Sequence, residues 1–181
     1  MELPWNSPGF VNVYFIEEKD GYVMIDCGVN GIEYHELLEA KMKSFGLSYE
    51  NVKLLIGTHM HSDHIADLPD AHLQSWIQGR NSPLKVYGPE GINLVTKGFE
   101  LAYTADYQYR NDHHGDDMLP MNIAGFNAIQ IMDNQLIPND TPGLEILPFV
   151  VDHYPVNSAF GFKVSYKGRT VVISGDTIND G

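Results

Sequence analysis

The stretch Thr58-His59-Met60-His61-Ser62-Asp63-His64 decides how the rest of the sequence reads. Imidazole nitrogens and carboxylates are preferred ligands of Zn²⁺ and related divalent ions. In an extended or turning backbone, His59 and His61 stand two residues apart and can point to the same side. Asp63 and His64, where the chain turns into a helix, can aim at a second point close by. One short segment can therefore offer two ligands to each of two neighbouring cations. At this composition the pattern H-x-H-x-D-H arises by chance in about one chain in a thousand. The competing reading is a polar turn whose surface histidines happen to cluster.

Working outward, the stretch follows the apolar run 52–56, which reads as a short buried strand, and precedes a helix over about 65–77. Three further polar residues occupy the same context. Asp26 follows the apolar run 22–25, His153 follows 147–151, and Asp176 follows 171–173. Taken singly, each is a polar residue at a strand end with its hydrogen bonds satisfied. Taken together, they fall on one rim of a sheet, where open α/β sheets place their ligands.

The remaining elements fit a layered α/β protein. Strands are expected over 11–17 and 22–26, joined by the polar turn Glu18-Lys19-Asp20-Gly21. A helix follows, with Tyr34, Leu37, Leu38, Met42 and Phe45 on one face and Gly46 as its stop. A buried strand over 84–87 leads through Gly88-Pro89-Glu90-Gly91 into a helix reaching about Tyr103. From 105 to 127 the periodicity fades, so this region reads as an insert or long loop with room for one short helix. Strands then recur over 128–132, 144–151, 160–166 and 170–174, the last two joined by a tight hairpin at Lys167-Gly168.

Composition narrows the class. The chain has 181 residues, 43% hydrophobic and 19% charged, enough to bury a core in one domain. No apolar run approaches the ~18 residues of a membrane helix. Eleven Lys and Arg against 24 Asp and Glu give a formal charge of −13, which disfavours a sequence-blind nucleic-acid binder. Cys27 is the only cysteine, so no intrachain disulfide forms, and a small buried residue is expected there. The first ten residues have no basic segment followed by an apolar one, so a cytoplasmic setting is the expectation.

Four segments resemble the metallo-β-lactamase superfamily of metal-dependent hydrolases: VMIDCG at 23–28, THMHSDH at 58–64, VDHYP at 151–155 and SGDT at 174–177. Within it, HIADLPD at 64–70, PLKVYGPEG at 83–91, YRNDHHG at 109–115 and the run 152–177 are most similar to the ribonuclease Z and arylsulfatase-like branch. The resemblance implies an αββα four-layer sandwich. It also implies two divalent ions, zinc first, with manganese or iron also suited. His59, His61 and His153 would hold one ion, Asp63 and His64 the other, and Asp176 would bridge them. Asp26 would accept a hydrogen bond from a ligating imidazole. The implied chemistry is a metal-bridged hydroxide cleaving a phosphodiester or sulfate ester, with Asp63 orienting the water or taking its proton.

Two departures from the family shape the expectation. The chain runs only five residues past Asp176, where the family continues to a final metal-binding His. A single domain over 1–181, C-terminally incomplete and lacking its last strands and helices, follows from this. His113 or His114 could replace the missing ligand, though a solvated loop or substrate contact is the preferred role. Second, Ser165-Tyr166-Lys167-Gly168 leave no room for the tRNA-gripping arm of tRNA-processing ribonuclease Z. That absence and the negative charge favour a small anionic ester over nucleic acid. The alternatives are a tRNA 3′-end processing endoribonuclease and a non-catalytic, truncated metal-binding domain. No membrane partner is expected, and a homodimer is left open. A pocket lined by Trp76, Phe99, Tyr103, Tyr107 and Tyr109 is a weaker possibility than ordinary packing.

Overall fold

A computed structural model describes residues 2–4, 10–28 and 32–178. Strand β1 (Glu2–Pro4) pairs with β2 (Phe10–Asn12) as a small antiparallel ribbon. Strands β3 (Tyr14–Glu18) and β4 (Gly21–Ile25) then form a hairpin across Lys19 and Asp20, with Ile16 opposite Val23. The single strand expected over 11–17 is thus two strands that part at Val13. Each pairs with a different neighbour, which no local pattern announces.

From β4 the chain winds in parallel crossovers, each of which needs a helix to carry it back. Helix α1 (Ile32–Ser44) leads to β5 (Val52–Ile56), and the corner α2 (Ser62–Ile65) and helix α3 (Leu68–Ile77) lead to β6 (Leu84–Gly88). Helices α4 (Ile92–Ala102) and α5 (Thr104–His114) precede β7 (Phe126–Gln130). The sheet order is β3-β4-β5-β6-β7, parallel from β4 onward. The expected helix over 65–77 is broken at 66–67, and Pro69 lies in the first turn of α3. Proline suits that turn because it lacks an N–H that would go unpaired there.

Strands β8 (Glu145–Val150), β9 (Phe160–Tyr166) and β10 (Arg169–Ile173) form an antiparallel meander, with β10 at its edge. Side-chain alternation assigns the two faces of the larger sheet. Val23, Ile25, Leu54 and Ile56 pack against Ile146, Phe160, Phe162 and Ile173 of the meander. Met24, Leu55 and Val86 point the other way, onto Leu38 and Met42 of α1, Leu68 of α3 and Ile92 of α4. Three layers result: helices, sheet and sheet. On the far side of the meander, Val172, which points away from the inter-sheet face of Ile173, is 61% exposed, so no fourth layer covers it among the described residues. That is the incomplete αββα sandwich expected from the sequence. Among the described residues no helix is long and apolar enough to cross a membrane.

The region 105–127 departs most from expectation, because α5 fills its first half. Only Tyr107 of α5 is buried, so the apolar stripe that marks a helix is missing. Side-chain pairs one turn apart brace it instead: Arg110 Nε donates to Asp106 (2.7 Å) and Gln108 Nε2 to Asp112 (2.7 Å). Tyr107 and Trp76 meet edge to face in a small satellite core, while Tyr109 is 71% exposed. Trp76, Tyr103 and Tyr107 therefore pack together and Phe99 joins the main core, while Tyr109 stands apart from them.

His72 sits at the heart of this satellite, fully buried. Arg80 Nη1 approaches its Nδ1 (3.5 Å), so the ring proton resides on Nε2 and is donated to the Tyr107 hydroxyl (2.6 Å). Burial, then the charge of Arg80, lower its pKa to about 3. The unfolded chain therefore takes up this proton first as pH falls below ~6.5, and stability is lost on acidification. Between pH 7 and pH 5 this one group removes about 2 kcal/mol. His72→Gln is expected to flatten that part of the acid limb in urea denaturation at the two pH values. An unchanged pH slope would show that another group controls it.

Candidate metal centre

The centre is built on one rim, from the loops that leave β4, β5, β8 and β10. Asp26, just past β4, adopts a left-handed φ of +56° and donates its N–H to Ile56 O (2.8 Å). That turn aims its carboxylate across the loop following β5. Its Oδ1 accepts the Thr58 N–H (2.8 Å), and its Oδ2 accepts the Thr58 hydroxyl (2.9 Å) and His64 Nδ1–H (2.8 Å). With Nδ1 protonated by that bond, His64 presents a bare Nε2.

The same bonds fix His59. Thr58 spends its single hydroxyl proton on Asp26, so its oxygen accepts from His59 Nδ1–H at 3.1 Å. The lone pair of His59 Nε2 is left facing His61 Nδ1 at 2.9 Å. His153 Nε2 approaches the same His61 nitrogen at 3.3 Å. Three ring nitrogens thus converge, and their spacing approaches the roughly 3.3 Å between ligands in a tetrahedral shell with Zn–N bonds of about 2.05 Å. Burial, then His64, His153 and His61, lower the His59 pKa to about 3, so its ring stays neutral near pH 7. This donor set fits a divalent cation.

A second group adjoins the first. His64 Nε2 lies 3.5 Å from Asp176 Oδ2 and 3.7 Å from Asp63 Oδ2. His59, His64 and Asp176 present ligand atoms within 4.8 Å of one another, as do His59, His61 and His153. His59 is common to both groups. Burial pulls the His64 pKa down, but the hydrogen bond and charge of Asp26, with Asp176 and Asp63, outweigh it and the net direction is up.

The loops carrying His153 and Asp176 are tied to one another. Asp152 O accepts Ile178 N–H (2.8 Å) and the Thr177 hydroxyl (3.0 Å). Gly175, with φ +60°, lets the chain pass where a Cβ would lie 2.9 Å from Phe160 O. Gly175→Ala is therefore expected to cost about 1–3 kcal/mol of stability and to displace Asp176. Calorimetric Zn²⁺ titration should show weaker binding at the His64–Asp176 group. Wild-type stability and affinity would contradict that role.

All seven residues singled out around this loop, Asp26, His59, His61, Asp63, His64, His153 and Asp176, thus gather at one rim. His113 and His114 do not join them: both are exposed at the end of α5, and neither belongs to a metal-competent group among the described residues. Cys27 is buried, as expected, with Sγ on His64 O (3.1 Å). Thr58 is the residue whose part the sequence does not disclose. Its position at the head of the motif is the one available signal.

The model of the metallo-beta-lactamase superfamily matches residues 6–181. Ribonuclease Z of Mycolicibacterium gilvum (strain PYR-GCK) is 29% identical over 158 residues, 86% of this chain and 51% of that protein. Ribonuclease Z of Mycobacterium bovis (strain BCG / Pasteur 1173P2) is 30% identical over 159 residues, covering 86% and 52%. The chain thus spans about half the length of the curated relatives it matches. Among solved structures, the metallo-beta-lactamase fold protein YhfI of Bacillus subtilis aligns with TM-score 0.61 and 18% identity, over 98% of this chain and 60% of that one. Metallo-beta-lactamase GOB-18 of Elizabethkingia meningoseptica aligns with TM-score 0.59 and 18% identity, over 99% and 58%. A family match across nearly the whole sequence, a shared fold and a histidine-rich rim lead to one conclusion: the chain belongs to the metallo-β-lactamase superfamily.

Proposed function

We propose that this chain carries the histidine-rich portion of a divalent-metal hydrolase that cleaves phosphodiesters or sulfate esters. The observation that carries the reading is the convergence of His59 Nε2, His61 Nδ1 and His153 Nε2. In this reading those three hold one cation, while His64, Asp63 and Asp176 serve a second, with Asp176 placed to share. Zinc suits the nitrogen-rich set, and manganese or iron suit it as well. Bound ions would acidify water and draw electron density from an ester oxygen. Asp63, with its carboxylate partly exposed beside His64 Nε2, orients the attacking water and takes its proton. Asp26 and Thr58 keep the two buried imidazoles in the tautomer that leaves Nε2 free.

The names of the curated relatives favour a second reading, endonucleolytic processing of tRNA. Against it stand the −13 charge and the two-residue connection Lys167-Gly168 between β9 and β10, which leaves no arm there to grip a large anion. A small ester is the reading adopted. With Zn²⁺ or Mn²⁺ added, the protein is expected to hydrolyse bis-p-nitrophenyl phosphate or an aryl sulfate, and to lose the activity to EDTA. Cleavage of a tRNA precursor with both small esters left intact would favour the second reading instead. Metal binding without turnover of any of the three would reduce the chain to a metal-binding domain.

A further inference from the structure

Behind the histidine loop, on the helical side of the large sheet, stands another group of ligand atoms. His35 of α1, Asp67 at the corner between α2 and α3, and Asp70 of α3 each present one donor, all within 4.8 Å of one another. His35 Nδ1 lies 3.6 Å from Asp67 Oδ2, and Glu39 Oε1 lies 4.0 Å from His35 Nε2. Both distances are too long for hydrogen bonds.

Among the described residues, four buried side-chain polar atoms lack a hydrogen-bond partner: His35 Nδ1, Tyr49 Oη, Asp67 Oδ1 and Arg80 Nε. Two of them belong to this group, and a third belongs to Tyr49, whose ring stacks on His35 with planes 6° apart. Native interiors pair their buried polar atoms, so such a concentration points to an ion or water that completes them. The Asp67 side chain is 3% exposed, and a carboxylate that deep is costly unless something positive faces it. Burial above all, against the opposing charge of His35, pushes its pKa up to about 6. Tyr49 is raised as well, by burial first and then chiefly by Asp67.

We infer that His35, Asp67 and Asp70 form a separate structural site for a divalent cation of the zinc or manganese class, on the Nδ1 side of His35, while Glu39 lies on the Nε2 side of the ring. One imidazole with two carboxylates suits those ions. A cation there would clamp α1 to the start of α3, directly behind the loop that carries His59 to His64. This site shares no residue with the histidine centre. The alternative is a proton shared by Asp67 and Asp70, with water meeting the remaining atoms.

The test uses a chain with His59→Ala and His61→Ala, which depletes the histidine centre. Zn²⁺ is titrated while the ring ¹⁵N resonances of His35 are followed by NMR and heat is measured by calorimetry. The expected result is a coordination shift of the His35 signals that saturates with Zn²⁺. Asp67→Asn and His35→Gln, each in the same background, should both remove one equivalent of bound Zn²⁺. Two variants guard against one that fails to fold, and the NMR shift needs no change to the group at all. His35 resonances that ignore Zn²⁺, or stoichiometry unchanged in the folded variants, would overturn the inference in favour of the shared proton. Failure of the histidine centre would instead appear as Zn²⁺ affinity unaffected by the His59→Ala and His61→Ala background.

Discussion

His59→Ala is expected to abolish cation binding at the three-histidine group, to weaken it at the neighbouring group and, with this, to abolish ester hydrolysis. His59 is fully buried and is the residue common to the two groups. Its Nε2 faces His61 at 2.9 Å, and its ring centroid lies 4.1 Å from that of His64 and 4.7 Å from that of His153. Removing it strips one ligand from the three-histidine set and opens the wall between the two groups. Affinity for Zn²⁺ should fall by more than about 100-fold, beyond what the loss of a supporting residue alone produces. Turnover should fall by roughly 10³-fold or more, since charge developing in the transition state would lose its stabilisation. The imidazole is held neutral, so its removal leaves no unpaired charge, and the variant should remain soluble. Elemental analysis after Zn²⁺ loading and dialysis, beside a phosphodiester assay, checks both effects. Wild-type metal content and turnover would show that His59 is a packing residue.

Asp26→Asn is expected to have the second largest effect, though Asp26 would touch neither cation nor substrate. One carboxylate accepts three hydrogen bonds, from the Thr58 N–H, the Thr58 hydroxyl and His64 Nδ1–H. An amide in its place offers one oxygen and two donors, so at least one N–H must confront a donor. The arrangement that relieves this moves the His64 proton from Nδ1 to Nε2, onto the atom meant to face the cation. Breaking a buried, charge-assisted set of this kind costs about 2–4 kcal/mol. Loss of the supporting acceptor lowers metal affinity by about 10–100-fold. Thr58→Val separates the contributions, because it keeps the bonds of the Thr58 N–H and His64 Nδ1–H to Asp26 and removes only what the hydroxyl makes, its donation to Asp26 and its link to His59. Thermal unfolding and Zn²⁺ titration of both variants should rank Asp26→Asn as the more damaging in each. Equal stability and affinity in Asp26→Asn and wild type would deny that Asp26 orients the loop.

Much of this centre is legible in the sequence because its chemistry is concentrated. Four candidate ligands lie within six residues, and the spacing alone places them on one loop. His153 and Asp176 are legible for another reason: each ends an apolar run, and strands of a layered sheet bring their ends to a common rim. The sandwich core is legible through alternation, since Val23 and Ile25 must face opposite to Met24 once 21–25 is extended. Helix α5 is not legible, because a helix that buries only Tyr107 leaves almost no periodic trace. Thr58 is hidden for a related reason. Its role depends on Asp26, 32 residues earlier, and on a hydroxyl proton whose destination only the folded geometry decides. The His35, Asp67 and Asp70 group is the extreme case. Its members come from α1, from the α2–α3 corner and from α3, and each alone resembles an ordinary polar residue near a helix end.

The central claim is that the converging nitrogens and carboxylates at this rim hold divalent cations. Anomalous diffraction at the zinc edge, from a crystal of the chain soaked in Zn²⁺, tests it most directly. The account predicts one anomalous peak at about 2.0–2.1 Å from ring nitrogens of His59, His61 and His153. A second is predicted beside His64, Asp63 and Asp176. A fully soaked crystal with no anomalous peak within coordination distance of those side chains would contradict it.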